Sequence, residues 1–403
     1  MSDHVKRSPA DFLIVLAHHV GELDAFIPLI FLLRKSDPAW HTRVLVTKKS
    51  IMKQLNQSPA LLSMMASLEI DYRFVPVNAT NEPAELHAPV DVKGGKARTF
   101  LSRIAGRLCS YLVMARSMPS LICELSVHKS ISMEGTQYPL LISLTCLFAN
   151  LRKRTVFLHN HSVQPILSLP RKRRRILGKK YVKGIVFSDT ELSRDLYGEK
   201  LRDQTYRTGL LKYLPEWVAF CQTRVTNQES TALGIFAKRI SFEVYRELLK
   251  ILLCCLAQAK WAKQVLIKPH PMDKPEAYNE LLAAYPSLQL ALTSEPNFAL
   301  MPALRAGICF PGSSILDCDA FGVPAIELRP AADTVVPGKV VTTDYAESGY
   351  PSTSNIDSAV EWLMTTIQQP LAGETKRPRS RGENELDALL GELRASKASS
   401  LSK

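Results

Sequence analysis

Phe12-Leu-Ile-Val-Leu-Ala17 is an unbroken apolar run that passes into the turn His18-His-Val-Gly-Glu22 and then into a helix-like stretch from Leu23 to Arg34. A run that is apolar at every position, not at alternate ones, predicts a strand covered on both faces, the setting of a parallel sheet. The rhythm repeats with a strand at Arg43-Val-Leu-Val-Thr47, a helix from Ile51 to Leu68 and a strand at Tyr72-Arg-Phe-Val-Pro76. Strands alternating with helices predict an α/β fold with helices on both faces of the sheet.

Further along, a polar stretch over 79–98 with Pro83, Pro89, Gly94 and Gly95 reads as a loop. A helix from Thr99 to Met118, a strand near Ser120–Leu125, a turn at Ser132-Met-Glu-Gly135 and a helix over 138–150 follow. Strands at Thr155-Val-Phe-Leu158 and Gly184-Ile-Val-Phe-Ser188 and a helix from Glu191 close the first half.

The second half restarts the pattern with strands at Ala232-Leu-Gly-Ile-Phe236 and Gln264-Val-Leu-Ile-Lys268, separated by an amphipathic helix from Phe242 to Ala259. A helix over 275–285, a strand over 288–293 and a short helix over 298–305 come next. They lead to strands at Gly307-Ile-Cys-Phe310 and Pro324-Ala-Ile-Glu-Leu328, with a helix over 315–321 between them and a last one over 356–367. The expected architecture is two Rossmann-like doubly wound domains, 1–225 and 226–368, facing a cleft, with a polar tail over 369–403 that holds one helix near 383–395. In open α/β sheets, ligands bind beyond the carboxyl ends of the strands.

Composition narrows the function. Hydrophobic residues at 46% and charged ones at 22% are those of a folded globular chain. A net charge of +13 implies an anionic partner: a phosphorylated substrate, an acidic membrane face or nucleic acid. The strongest basic run, Arg171-Lys-Arg-Arg-Arg175, has no interleaved aromatic residues, which disfavours nucleic acid and leaves a solvated face or an anionic membrane surface. The eight cysteines form no CxxC pair and several sit in apolar runs, as small buried residues in a reducing compartment do. The apolar run at the N-terminus is too short for a signal peptide, and the longest apolar stretch, Tyr138 to Ala149, is too short to span a membrane. A cytoplasmic protein, peripheral on the inner face of the membrane, is the expectation.

Lys268-Pro-His-Pro271 follows a predicted strand directly, which sets a lysine and a histidine at the rim where an anion would sit; the two prolines favour an extended loop. Gly312-Ser-Ser314 stands between a predicted strand and a predicted helix. Backbone N–H groups and two hydroxyls there make a phosphate cradle, or a plain N-cap. Asp317, on the first turn of that helix, is placed to accept ribose hydroxyls. In the first half, Glu22 lies in the glycine turn after the first strand and Glu134 in the Glu134-Gly-Thr136 turn; either carboxylate suits the deprotonation of an acceptor hydroxyl. His159-Asn-His161 ends another strand, but no nearby carboxylate cluster supports a metal, and Asp317-Cys-Asp319 is helical, unlike a metal-binding DxD.

Together these motifs resemble the nucleotide-binding half of GT-B glycosyltransferases and of their relative, the nonhydrolysing UDP-N-acetylglucosamine 2-epimerase. Lys268–Pro271 with Gly312–Ser314 is similar to the His-Pro and paired-serine motifs of bacterial sialyltransferases, polysialyltransferases and capsule Kdo transferases. The resemblance implies that His270, Ser313 and Ser314 hold the phosphate and base side of a CMP-sugar. Asp317-Cys-Asp-Ala-Phe-Gly-Val-Pro324 resembles a stretch whose carboxylate binds ribose, with Asp317 in place of Glu. Val20-Gly-Glu22 followed by Pro28-Leu29 resembles the lipid A Kdo transferase, where that Glu is the base; here His19 precedes the motif in place of Ser or Ala. Glu134-Gly135 resembles the acidic motif of sialyltransferases, with Met133 where a second acid is usual.

The implied activity is an inverting transferase that needs neither metal nor cofactor. It would use a nucleotide sugar, such as CMP-linked sialic acid or Kdo, on a glycan or glycolipid acceptor of capsule or lipopolysaccharide. The catalytic candidates are Glu22, Glu134 and His270; the nucleotide-binding candidates are Lys268, His270, Pro271, Gly312, Ser313, Ser314 and Asp317. Alternatives are a transferase of CDP-activated glycerol or ribitol phosphate, a UDP-sugar 2-epimerase-like enzyme and a non-catalytic basic binding protein. The epimerase's His-Arg-x-x-Asn run is missing; Lys238-Arg-Ile-Ser-Phe242 stands near its place.

Overall fold

The structure, a computed structural model, describes residues 9–16, 20–76, 115–134, 145–148, 151–160, 181–187, 204–224, 231–261, 263–271, 273–331, 349–368 and 383–398. The basic run Arg171–Arg175, the predicted loop over 79–98, His161, Gly135 and the predicted helix from Glu191 lie outside them. The chain forms two compact units, Met1–Leu211 with Ser380–Lys403, and Lys212–Arg379. Each is an α/β unit built on a parallel sheet.

The first sheet contains β1 (Phe12–Leu16), β2 (Thr42–Val46), β3 (Ile70–Phe74), β4 (Ser130–Glu134), β5 (Thr155–Asn160), β6 (Val182–Val186) and β7 (Thr205–Arg207), in the order β3-β2-β1-β4-β5-β6-β7. All its pairings are parallel, and β1 lies between β2 and β4, so the direction of winding reverses there. Every residue of β1 is buried, as its unbroken apolar sequence requires. The helix Leu23–Ser36 turns Leu23, Phe26, Ile27, Ile30 and Leu33 inward, with Asp24 in its first turn and Arg34 and Lys35 in its last, where they complement the helix dipole.

Two expectations are corrected here. The strand expected near Ser120–Leu125 is part of a helix over 115–127. Leu121 and Leu125, four residues apart, are both buried, and Glu124 pairs with His128 at 3.0 Å, again at helical spacing. The strand is β4 instead, whose last residues had the look of a turn. The single helix expected from Ile51 to Leu68 is two, Lys49–Asn56 and Pro59–Ser67; Pro59 has no N–H to continue the first and opens the second.

The second sheet contains β8 (Ala232–Phe236), β9 (Val265–Lys268), β10 (Leu290–Leu292), β11 (Leu304–Cys309), β12 (Ala325–Leu328) and β13 (Ser352–Thr353), in the order β10-β9-β8-β11-β12-β13. It too is parallel throughout, with its reversal between β8 and β11. The helix Glu243–Gln258 buries Tyr245, Leu248, Leu249, Leu252, Leu253 and Leu256 on it, an i, i+3, i+4, i+7 stripe. The helix Ser314–Ala320 lies so close to β11 that a Cβ on Gly307 would stand 3.0 Å from Cys318 Sγ. It ends at Gly322, whose φ of 72° is left-handed backbone that glycine adopts without strain.

The C-terminal helix Glu383–Ala398 packs in the first unit and buries Leu386, Leu389, Leu390 and Leu393. Its ends are tied by charge: Glu385 accepts from the Arg207 amide at 2.6 Å, and Lys397 reaches Asp37 at 2.6 Å and Asp11 at 3.2 Å. Leu389→Ala should therefore cost about 2–5 kcal/mol of unfolding free energy in denaturant titration, as buried leucine truncations do. A loss within about 0.5 kcal/mol, the usual range for an exposed position, would show the helix to be an undocked tail.

Candidate functional site

In the second unit, the carboxyl ends of β8, β9 and β11 carry the residues of interest. β8 runs into Ala237-Lys-Arg239, β9 into Pro269-His-Pro271 and β11 into Pro311-Gly-Ser-Ser314. The backbone joins the first two, since Ala237 N–H donates to Lys268 O at 3.0 Å and Ile240 N–H to Asp273 Oδ2 at 3.0 Å. Gly312 leaves room for a cation: Lys238 Nζ stands 3.8 Å from where a Cβ on Gly312 would be. Ser313 occupies the N-cap position of the helix Ser314–Ala320 but makes no capping hydrogen bond through its side chain. Its hydroxyl and that of Ser314 are both half-buried.

Lys238 is half-buried, and among the described residues it makes no ion pair. Burial pushes its pKa down, opposed in part by Glu327, a fully buried carboxylate on β12. His270 feels the same environment: burial first, then the charges of Lys238 and Arg239, depress its pKa to about 4. Its imidazole is therefore neutral at pH 7 and acts there as a hydrogen-bonding group, not as a charge.

Two sequence-predicted residues have other engagements. Lys268 Nζ donates to the carbonyl of Glu295 at 2.5 Å, so the lysine seen beside Gly312 is Lys238. Asp317 is 3% exposed and uses both oxygens, Oδ1 with Lys212 Nζ and Oδ2 with Asn297 Nδ2, each at 2.5 Å. It ties three segments together, and a ribose would compete with those partners. Pro271 is exposed. Sequence reading missed Lys238 and Arg239. Their signal in the sequence is that both follow β8 directly.

In the first unit, the reversal between β1 and β4 holds a buried polar group. Glu22 ends the short turn Val20–Glu22 after β1; it is fully buried, with its carboxylate 3.4 Å from His159 Nε2 at the end of β5. His159 is fully buried as well; its Nδ1 lies 3.0 Å from Ser132 Oγ on β4, and Phe26 stands edge-on to its ring at 4.6 Å. Carboxylate, imidazole and hydroxyl thus link β1, β5 and β4. Glu134, the last residue of β4, pairs in register with His159. Among the described residues, no three His, Cys, Asp or Glu side chains are grouped to hold a metal ion, and no helix is long and apolar enough to cross a membrane.

No family model matches the chain, and no curated protein matches it. Solved structures do. A UDP-N-acetylglucosamine 2-epimerase from Listeria monocytogenes aligns with 94% of this chain and 95% of its own at 12% identity, with a TM-score of 0.54. That from Methanocaldococcus jannaschii aligns with 94% and 99% at 11% identity and a TM-score of 0.50. MurG of Acinetobacter baumannii aligns with 95% and 99% at 12% identity and a TM-score of 0.40. The epimerase matches place the chain in a fold class of two Rossmann-like units, the class expected from its sequence.

The titration of His270 tests the geometry. The unfolded chain takes up this proton near 6.5 and the folded chain near 4, so the folded state loses stability as pH falls from about 6.5 to 4 and gains none above that range. NMR should follow a histidine with a midpoint near 4 that moves toward 6.5 in Lys238→Met. A wild-type midpoint at the ordinary value would remove His270 from this cationic, half-buried setting.

Proposed function

We propose that the chain is an inverting, metal-independent glycosyltransferase using a nucleotide sugar, with a CMP-activated acidic sugar as donor and a surface glycan or glycolipid as acceptor. The observation that carries the reading is the Lys238 ammonium, unpaired and half-buried beside Gly312 and two unengaged serine hydroxyls. An uncompensated cation in such a place is stabilised by an anion, and its position at the carboxyl ends of β8 and β11 is where doubly wound sheets bind nucleotides. The missing His-Arg-x-x-Asn run argues for transfer over epimerisation.

The division of labour follows from chemistry. A carboxylate takes the proton of the acceptor hydroxyl as its oxygen bonds to the anomeric carbon. The bond from that carbon to the donor phosphate breaks, and the charge left on phosphate is met by Lys238, Ser313, Ser314 and neutral His270. Glu22 is enclosed and bound to His159, so we assign the base to Glu134, with Glu22, His159 and Ser132 bracing the strand ends around it. The excess of basic residues suits an anionic membrane face or an acidic acceptor.

In a thermal-shift comparison, CMP or CDP should stabilise the protein more than UDP or GDP; a ligand at 100 times its dissociation constant adds about 2.7 kcal/mol over the ligand-free protein. Preference for UDP would move the assignment toward UDP-sugar enzymes. Turnover in Glu134→Gln should fall about 100-fold or more with nucleotide affinity unchanged. Glu22→Gln should act mainly on stability, because it alters a fully buried carboxylate that faces His159. A fully active Glu134→Gln would sink the base assignment.

A further inference from the structure

Next to Lys238 lies a second cation. Arg239 is half-buried, its guanidinium stacks on the Phe242 ring at 5.3 Å, and its Nε is shut off from solvent with no acceptor. Among the described residues it makes no ion pair or hydrogen bond through its side chain. It lines a cavity of about 430 Å³ at the carboxyl ends of β8 and β9, together with Ser241, Arg246, Asp273, Lys274 and Glu280.

Three acids line it as well, Asp273, Glu276 and Glu280. Glu280 is ion-paired with Arg246 at 3.1 Å. Asp273 Oδ2 accepts from Ile240 N–H and from the Tyr278 hydroxyl; burial pushes its pKa up, opposed by those two hydrogen bonds and by the charge of Arg239. Arg239 and Lys238 both depress the titration of His270, so their charges act on one region. Yet they serve different places: Lys238 lies against the Gly312 turn and Arg239 lines the cavity.

We propose that Arg239 binds a second anionic group of the donor, seated in this cavity and separate from the phosphate held by Lys238. This rests on the nucleotide-sugar reading and deepens it, because it requires a donor with two separated negative charges. Two chemistries meet that requirement: a second phosphate, as in a nucleoside diphosphate linkage, or the carboxylate of an acidic sugar on a nucleoside monophosphate. The planar guanidinium fork fits either anion in a bidentate way, and stacking on Phe242 fixes its plane.

The test is calorimetric titration of the full-length wild type, Lys238→Met and Arg239→Met with CMP, CDP and CMP-N-acetylneuraminate. UMP and UDP serve as a parallel pair, and melting without ligand checks that each variant is folded. Lys238→Met should weaken every ligand about 10- to 100-fold, the worth of one charged hydrogen bond. Arg239→Met should leave the monophosphates at wild-type affinity and weaken the ligands that carry a second, separate anionic group by a similar factor, with Arg239→Lys recovering only part of the loss. A loss confined to the diphosphates places the β-phosphate in the cavity; a loss confined to CMP-N-acetylneuraminate places the carboxylate there. If Arg239→Met weakens CMP as much as the other ligands, or weakens none of them, the second subsite does not exist. Wild type that binds no nucleotide would instead sink the underlying functional reading.

Discussion

The energetic constraint on the second unit is that Lys238 and Arg239 carry charge into half-buried positions where, among the described residues, neither forms an ion pair, although Glu327 acts on the first and Asp273 on the second from beyond that distance. Removing an ion from water without a partner is costly, and the cost shows in the lowered pKa of Lys238 and in the neutral state forced on His270. The surrounding architecture keeps the arrangement in place. Gly307 lets the helix Ser314–Ala320 close onto β11, Gly322 ends that helix, and the Gly312 turn is brought against Lys238. Asp317 locks the same helix to Lys212 and Asn297. An anion beside Gly312 would relieve the strain of unpaired charge that the protein alone leaves standing.

The first unit handles buried charge in the opposite way, by pairing it. Glu22 faces His159 and His159 pairs with Ser132 at the ends of β1, β5 and β4, while Glu124 pairs with His128, Arg73 and Arg43. Such networks fix strand ends at the cost of exposing nothing. The enclosed state of Glu22 is the physical reason for preferring Glu134 as the proton acceptor.

Much of this was legible in the sequence because local pattern and tertiary environment agreed. β1 and β8 are apolar at every position and fully buried, and the stripe of the helix Glu243–Gln258 has helical period along its length. The reading failed where short apolar segments allow two periods. Ser120–Leu125 holds Leu121 and Leu125 at a spacing that packs as a helix, while Ser130–Glu134 is a strand in which two polar residues, Ser130 and Ser132, are buried, the second beside His159. β7, only three residues long, and the helix Pro215–Arg224 gave too weak a pattern to be seen. At the site, the Gly-Ser-Ser turn and His270 were legible as motifs. Which lysine faces the turn was not, because Lys238 and Lys268 both follow strands and only the fold decides between them.

The most direct measurement is a crystal structure of the chain with a nucleoside diphosphate soaked or co-crystallised. The account predicts a phosphate within hydrogen-bonding distance of Lys238 Nζ and of the hydroxyls of Ser313 and Ser314, with Lys268 still on the carbonyl of Glu295. A phosphate bound by Lys268 in place of Lys238, or seated away from the Gly312 turn, would contradict it.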